Sequence, residues 1–228
     1  MKSDLQKQAA NEHSTEKQAA RLIHANYRGG KDVLVGLDYD QEGYSKLVGA
    51  DLLEDPEAER DRVYLLAEHQ AELWIRRVMR ECRKEGVELR YMVFTSDMDG
   101  ETQEPVRVHH HIVMNVEALE ICKRKWNLGG VNWKTMWDRE DQSDLAAYLV
   151  RQVRRRANVA RYIASRNLVR PKPKDRVAIN GSELRLPKGA TLLYRSPYRP
   201  GQAQYIRYVL PQEETVPKEG GGGRGRNE

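Results

Sequence analysis

The stretch Val106-Arg-Val-His-His-His-Ile-Val-Met114 decides how the chain is read. Its residues alternate with the period of a β-strand, so neighbours point to opposite faces. One face carries Val106, Val108, His110, Ile112 and Met114, and the other carries Arg107, His109, His111 and Val113. His110 therefore belongs with a core, while His109 and His111 project together. Such a pair offers one ring nitrogen each to a shared metal ion. Read structurally, the same rings only hydrogen-bond within a core or meet solvent. A third ligand is expected to be an acid on a neighbouring strand. Asp97, where the preceding strand ends, is the nearest choice, with Asp99, Asp38 and Asp40 behind it. Asp97 reads equally as an ordinary turn aspartate.

Working outward, Leu89 to Thr95 alternates in the same way and leads into the polar loop Asp97 to Glu104, which predicts a hairpin with the histidine strand. Upstream, Asp32-Val-Leu-Val-Gly-Leu-Asp-Tyr39 reads as a first strand. Pro56 to Lys84 reads as a long helix with Ala67, Ala71, Trp74, Ile75, Val78 and Cys82 on one stripe and Gly86 beyond its end. Downstream come a short helix from Val116 to Lys125, a Gly-Gly turn between Trp126 and Trp137, a strong helix from Asp141 to Ala157, and late strands at Thr191 to Arg195 and Gln204 to Leu210. This order predicts an α+β fold, an antiparallel sheet with helices packed mainly on one face. Residues 1–20 read as a polar tail or weak helix, 21–210 as one domain, and 211–228 as a disordered Gly/Arg-rich tail.

Composition narrows the class of function. The 228 residues carry a formal charge of +5, but Arg151 to Arg176 holds eight Arg and two Lys against one Asp, so the rest of the chain is slightly acidic. Positive potential gathered on one short segment points to an acidic partner such as nucleic acid. No apolar run of the length a bilayer requires is present, and the N-terminus lacks the apolar region of a secretory signal, so no membrane is expected. Cys82 and Cys122 form neither a CxxC motif nor a disulfide framework, and a cytoplasmic protein is expected. A GxxxxGK[ST] motif is absent, which argues against a helicase or ATPase activity in this chain.

On a helical wheel for residues 141–157, Leu145, Ala146, Leu149, Val150, Val153 and Ala157 define a buried face, and Tyr148 falls off it near Arg151 and Arg155. A core tyrosine would sit among the leucines. Tyr148 is thus either an exposed surface residue or a nucleophile, in which case an unactivated phenol, titrating near 10, requires a cation or a metal-bound phosphate beside it. The basic run that follows, with Arg154, Arg155, Arg161, Tyr162, Arg166, Arg170 and Lys172, interleaves cations with an aromatic, as surfaces that neutralise phosphates and stack on bases do.

These pieces, in this order, resemble the HUH endonucleases, specifically the phage- and plasmid-type proteins that initiate rolling-circle replication. Asn26-Tyr27 with the first strand is similar to that family's opening motif. Arg107-Val-His-His-His-Ile-Val-Met-Asn115 resembles its His-hydrophobe-His motif, Leu145-Ala-Ala-Tyr-Leu-Val-Arg151 its nucleophile helix, and Ser165-Arg-Asn-Leu168 with Pro171 a downstream stretch. The resemblance implies an HUH/ferredoxin-like nuclease fold and Mg²⁺ or Mn²⁺ at His109, His111 and an acid, for which Asp97 is the nearest choice. It implies attack by Tyr148 on single-stranded or supercoiled origin DNA, giving a 5′-phosphotyrosine. Arg151 would stabilise charge on the phosphate, and Arg107 would join the later arginines in binding DNA. Host helicase and polymerase would be partners. Ser96 stands where relatives carry Glu, Gly36 and Asp38 where they carry threonines, and Arg151 where they carry Lys. Conjugative relaxases place their tyrosine ahead of the histidines, the opposite order. A single-tyrosine transposase, or a DNA-binding autorepressor that retains the fold without nicking, are the alternatives.

Overall fold

A computed structural model describes residues 4–139, 141–154, 160–171, 184–199, 204 and 206–210, the side chains of the first helix from residue 11 onward. The chain divides into two compact units, Met1–Lys174 and Asp175–Glu228.

The first unit is built on a five-stranded antiparallel sheet. Its strands are β1 (Val33–Asp38), β2 (Tyr91–Met98), β3 (Pro105–Met114), β4 (Val131–Thr135) and β5 (Ile163–Ala164), in the order β4-β1-β3-β2-β5. The histidine strand β3 is the middle strand, paired with β1 through Gly36↔His111 and Asp38↔His109 and with β2 through Phe94↔His111 and Ser96↔His109.

Both faces of this sheet are covered, a difference from the one-sided packing expected. One face carries α2 (Gln41–Val48), α3 (Pro56–Glu85) and α4 (Leu119–Lys125), and its core joins Val33, Val35, Leu37, Ile112 and Met114 to Tyr64, Trp74, Ile75, Val78 and Cys122. The other carries α1 (Asp4–Asn26) and α5 (Ser143–Gln152), whose Ala19, Leu22, Ile23, Leu149 and Val150 pack on Leu34, Met92, Phe94 and Val113. The cause is written in Val33 to Leu37, an unbroken apolar run that must bury both sides of a strand. Residues 4–20, expected as a tail or weak helix, continue into α1, and α1 is held because Ala19, Leu22 and Ile23 reach that second core.

α3 begins at Asp55, whose side chain accepts from Glu57 N, with Pro56 in its first turn. It ends at Gly86 in the left-handed region (φ 69°), which lets that N–H return to the Cys82 carbonyl. α5 is shorter than expected and stops at Gln152. The Ser96 hydroxyl donates to the Gln152 carbonyl at 3.0 Å and an Arg161 N–H to that of Val150 at 3.3 Å, so side chains take up helix-end carbonyls.

In the second unit, β6 (Thr191–Arg195) and β7 (Ile206–Val209) pair antiparallel with each other as a separate two-stranded sheet. The tail at 211–228 lies outside the described residues. Among the described residues no helix is long and apolar enough to cross a membrane.

Candidate metal and nucleophile centre

The alternation of β3 divides its three histidines. His110 faces α3, fully buried, with Nε2 3.0 Å from the Tyr39 hydroxyl and Nδ1 3.1 Å from the Thr95 hydroxyl. Burial, with His109 and His111 adding, pushes it down to about 3, so it is a neutral, satisfied core residue. His109 and His111 face α5, and their Nε2 atoms lie 3.1 Å apart. The His109 Nδ1 lies 3.1 Å from the Arg107 carbonyl, a contact that requires the proton there and leaves Nε2 as the lone-pair nitrogen. His111 is pushed down to about 4, first by burial and then by His109, with the Gln152 contact acting the other way and the positive charge of Lys134 lowering it further, so this ring is neutral near pH 7.

The third group at this point is Gln152, buried in the last turn of α5. Its Nε2 donates to the Tyr148 carbonyl at 3.0 Å, which turns Oε1 toward His111 Nε2, 3.2 Å away. The His111 Nε2 stands 3.1 Å from one imidazole nitrogen and 3.2 Å from an amide oxygen, separations that neighbouring donors of one ion with bonds of about 2.1 Å would have. The donor chemistry fits a divalent metal. Among the described residues no group of three His, Cys, Asp or Glu side chains is placed to hold one. Two imidazoles and a neutral amide suit Mn²⁺ better than Mg²⁺, which favours oxygen. Gln152→Ala is accordingly expected to weaken Mn²⁺ binding at least about tenfold by calorimetry, with the fold intact by circular dichroism.

Tyr148 lies one helical turn before Gln152, and the two therefore share a stripe. Its ring centroid is 5.8 Å from that of His111, and the side chain is 40 % exposed, between the imidazole and solvent. The other side of the ring meets the β2–β3 turn. A Cβ added at Gly100 would fall 2.5 Å from Tyr148 Cε2 and 3.1 Å from its hydroxyl oxygen. Gly100 has no positive φ, so what a side chain there would disturb is the phenol and not the backbone. Asp99 stiffens this turn by accepting from Glu101 N and Thr102 N, bonds that hold its carboxyl below the usual range.

Several expected site residues are elsewhere. Asp97 points to the α3 face, away from His109 and His111, and its carboxylate is held by Arg60 at 2.6 Å and by Arg154 at 2.8 Å. The cause is again alternation: Ser96, opposite His109, takes the histidine face, so its neighbour cannot. Ser96 contributes no ligand, but its hydroxyl fixes the end of α5 that carries Gln152. Of the other acids, Asp40 caps α2, while Asp38 is opposite His109 on the same face and accepts from Asn132 at 2.9 Å.

Arg151 does not face the phenol; it pairs with Glu16 of α1 at 2.9 Å. Arg161 pairs with Glu12 at 3.6 Å, and Arg154 pairs with Asp97 and Asp61, so these cations are matched by acids of the same chain. Tyr162 packs on Phe94 with centroids 5.3 Å apart. Arg107 bonds to the Tyr39 carbonyl and to Gln41 over the Tyr44 ring. Arg166 and Arg170 are exposed, and Arg155 and Lys172 lie outside the described residues. Lys134 of β4, opposite Leu34 in the sheet, is a cation on the face of the histidine pair.

No protein-family profile, curated protein or solved structure matches this chain.

Proposed function

We propose that this chain is a metal-assisted DNA strand transferase of the HUH endonuclease type, cutting one strand at an origin through Tyr148. The observation that carries this reading is the convergence of His109, His111 and Gln152 beside the half-exposed phenol of Tyr148. A divalent ion held by these three side chains would supply Lewis-acid polarisation of the scissile phosphate. The remaining chemistry belongs to the chain. The Tyr148 oxygen attacks phosphorus in line, the P–O3′ bond breaks, and the phenolic proton is lost while the departing 3′ oxygen gains one. The products are a 5′-phosphotyrosine and a 3′-OH that a host polymerase could extend. Gln152 orients this arrangement twice, through its Oε1 toward His111 and its Nε2 on the Tyr148 carbonyl. With no P-loop in the sequence, strand separation would fall to supercoiling or a helicase.

The test is a supercoiled plasmid carrying the DNA that flanks the coding sequence, incubated with protein and Mn²⁺. Relaxation with protein joined to the 5′ end supports the reading. A second reading, a DNA-binding module without nicking, is favoured by the engagement of Arg151 with Glu16, and it predicts a stable complex with no cleavage.

The contact of Gly100 with the phenol makes a separate prediction. Gly100→Ala pushes the ring from its place, and the turnover of nicking should fall about tenfold or more while DNA affinity and melting temperature stay unchanged.

A further inference from the structure

β4 is an edge strand, and beyond it the chain displays an aromatic ring that no core explains. The backbone around Trp137 is firmly held. Met136 is buried, with its N–H on the Asp32 carbonyl at 2.8 Å and its carbonyl taking Gly30 N at 2.9 Å. Gln142 donates to the Trp137 carbonyl at 3.1 Å, and Gly29 passes so close that a Cβ there would meet that oxygen at 2.3 Å. Yet the Trp137 side chain is 62 % exposed. A large aromatic ring on a fixed backbone, turned to water, offers a face on which a planar group can stack.

Charge indicates which partner. The Arg139 guanidinium lies 4.5 Å from the Trp137 ring centroid and the Lys134 ammonium 5.6 Å. Among the described residues neither cation is in an ion pair; Asp141 accepts from Ser143 N at 2.9 Å, and Asp138 lies against Gly30. Lys134 is opposite Leu34 of β1, on the sheet face that carries His109 and His111. The cations thus lead from the histidine pair to the indole. Cations bracketing an exposed aromatic are the elements of single-strand binding, in which phosphates meet the charges and a base takes the ring face.

Resting on the strand-transfer reading above, we propose that Trp137, Lys134 and Arg139 form a stacking platform for single-stranded DNA, receiving a base that flanks the phosphate at His109 and His111. On binding, Arg139 and Lys134 move from the indole to phosphate and a base replaces them.

The experiment uses the full chain carrying Tyr148→Phe, without divalent metal, so that binding is read apart from chemistry. The probe is a fluorescein-labelled 15-nucleotide oligo(dT), followed by anisotropy. Trp137→Ala should weaken binding about 5- to 100-fold, and Trp137→Phe should retain most of the affinity. An abasic oligonucleotide of the same length should bind the parent and Trp137→Ala alike. Lys134→Ala with Arg139→Ala should lower the salt dependence by roughly two counterions. Equal binding of oligo(dT) by parent and Trp137→Ala overturns the platform alone. So does an equal loss on the abasic strand, or a dimer in sedimentation that Trp137→Ala dissociates. A parent that binds no single strand removes the strand-transfer reading, and the platform with it.

Discussion

Tyr148→Phe should abolish nicking, by more than about 10³-fold, while leaving Mn²⁺ binding within about twofold of the parent. The substitution removes one oxygen and keeps the ring that fills the space between His111 and Gly100, so His109, His111, Gln152 and the turn stay in place. Two other tyrosines invite comparison, and neither has suitable surroundings. Tyr39 is buried, its hydroxyl is 3.0 Å from His110 Nε2 on the opposite sheet face, and burial pushes its pKa up, which disfavours a phenolate. Tyr162 is half-buried on Phe94, and burial raises it too. Gel mobility of the nicked circle and mass spectrometry of the protein–DNA adduct read the result. Persistent nicking in Tyr148→Phe, with an adduct on another residue, would sink the assignment. His111→Ala should lose both Mn²⁺ binding and nicking, separating loss of the ion from loss of the nucleophile.

How much of this molecule is legible in its sequence follows the range of each signal. Strand alternation operates over a few residues, so the division of His109 and His111 from His110 is visible in the sequence alone, as is the displacement of Tyr148 from the apolar stripe of α5. The long helix with Pro56 at its start and Gly86 at its end carries its own boundaries. The signals mislead where partners are far away in sequence. Proximity to the turn favours Asp97 as a ligand, but strand parity sends it to Arg60 and Arg154 instead. Net charge makes the basic run look available to DNA, whereas Glu12, Glu16 and Asp61, distant in sequence, take up Arg161, Arg151 and Arg154. β4 is hard to read because its alternation, Val131 and Trp133 against Asn132 and Lys134, spans only five residues directly after the Gly129-Gly130 turn. Gln152 does leave a signal, a polar residue four positions after Tyr148 and hence on its stripe, but an expectation of an acidic third ligand points away from an amide. Gly100 leaves none, since a turn glycine looks the same whether it serves the backbone or a neighbouring ring.

Asp97 provides the sharpest separation between a ligand and a structural tie. Its side chain is 4 % exposed, against 17 % for Arg154 and 35 % for Arg60, and it joins three elements: β2, α3 and the segment after α5. Asp97→Ala would leave two guanidinium groups facing each other with no anion between them. Because both keep some access to water, the cost should fall near the lower end for a broken buried pair, about 2–4 kcal/mol, read as a lower urea midpoint at unchanged slope. Arg154→Ala in the same background should cost less than it does in the parent, since its bond to Asp97 is already gone and only its pair with Asp61 and its place over the Tyr64 ring remain, and that non-additivity distinguishes one network from two independent contacts. Mn²⁺ affinity of the folded Asp97→Ala protein should remain within about threefold of the parent, whereas Gln152→Ala should show the opposite pattern: weak metal binding and a nearly unchanged urea midpoint. A large loss of Mn²⁺ affinity in Asp97→Ala at full folding would return this carboxylate to the metal and overturn the placement of Gln152 as the third ligand.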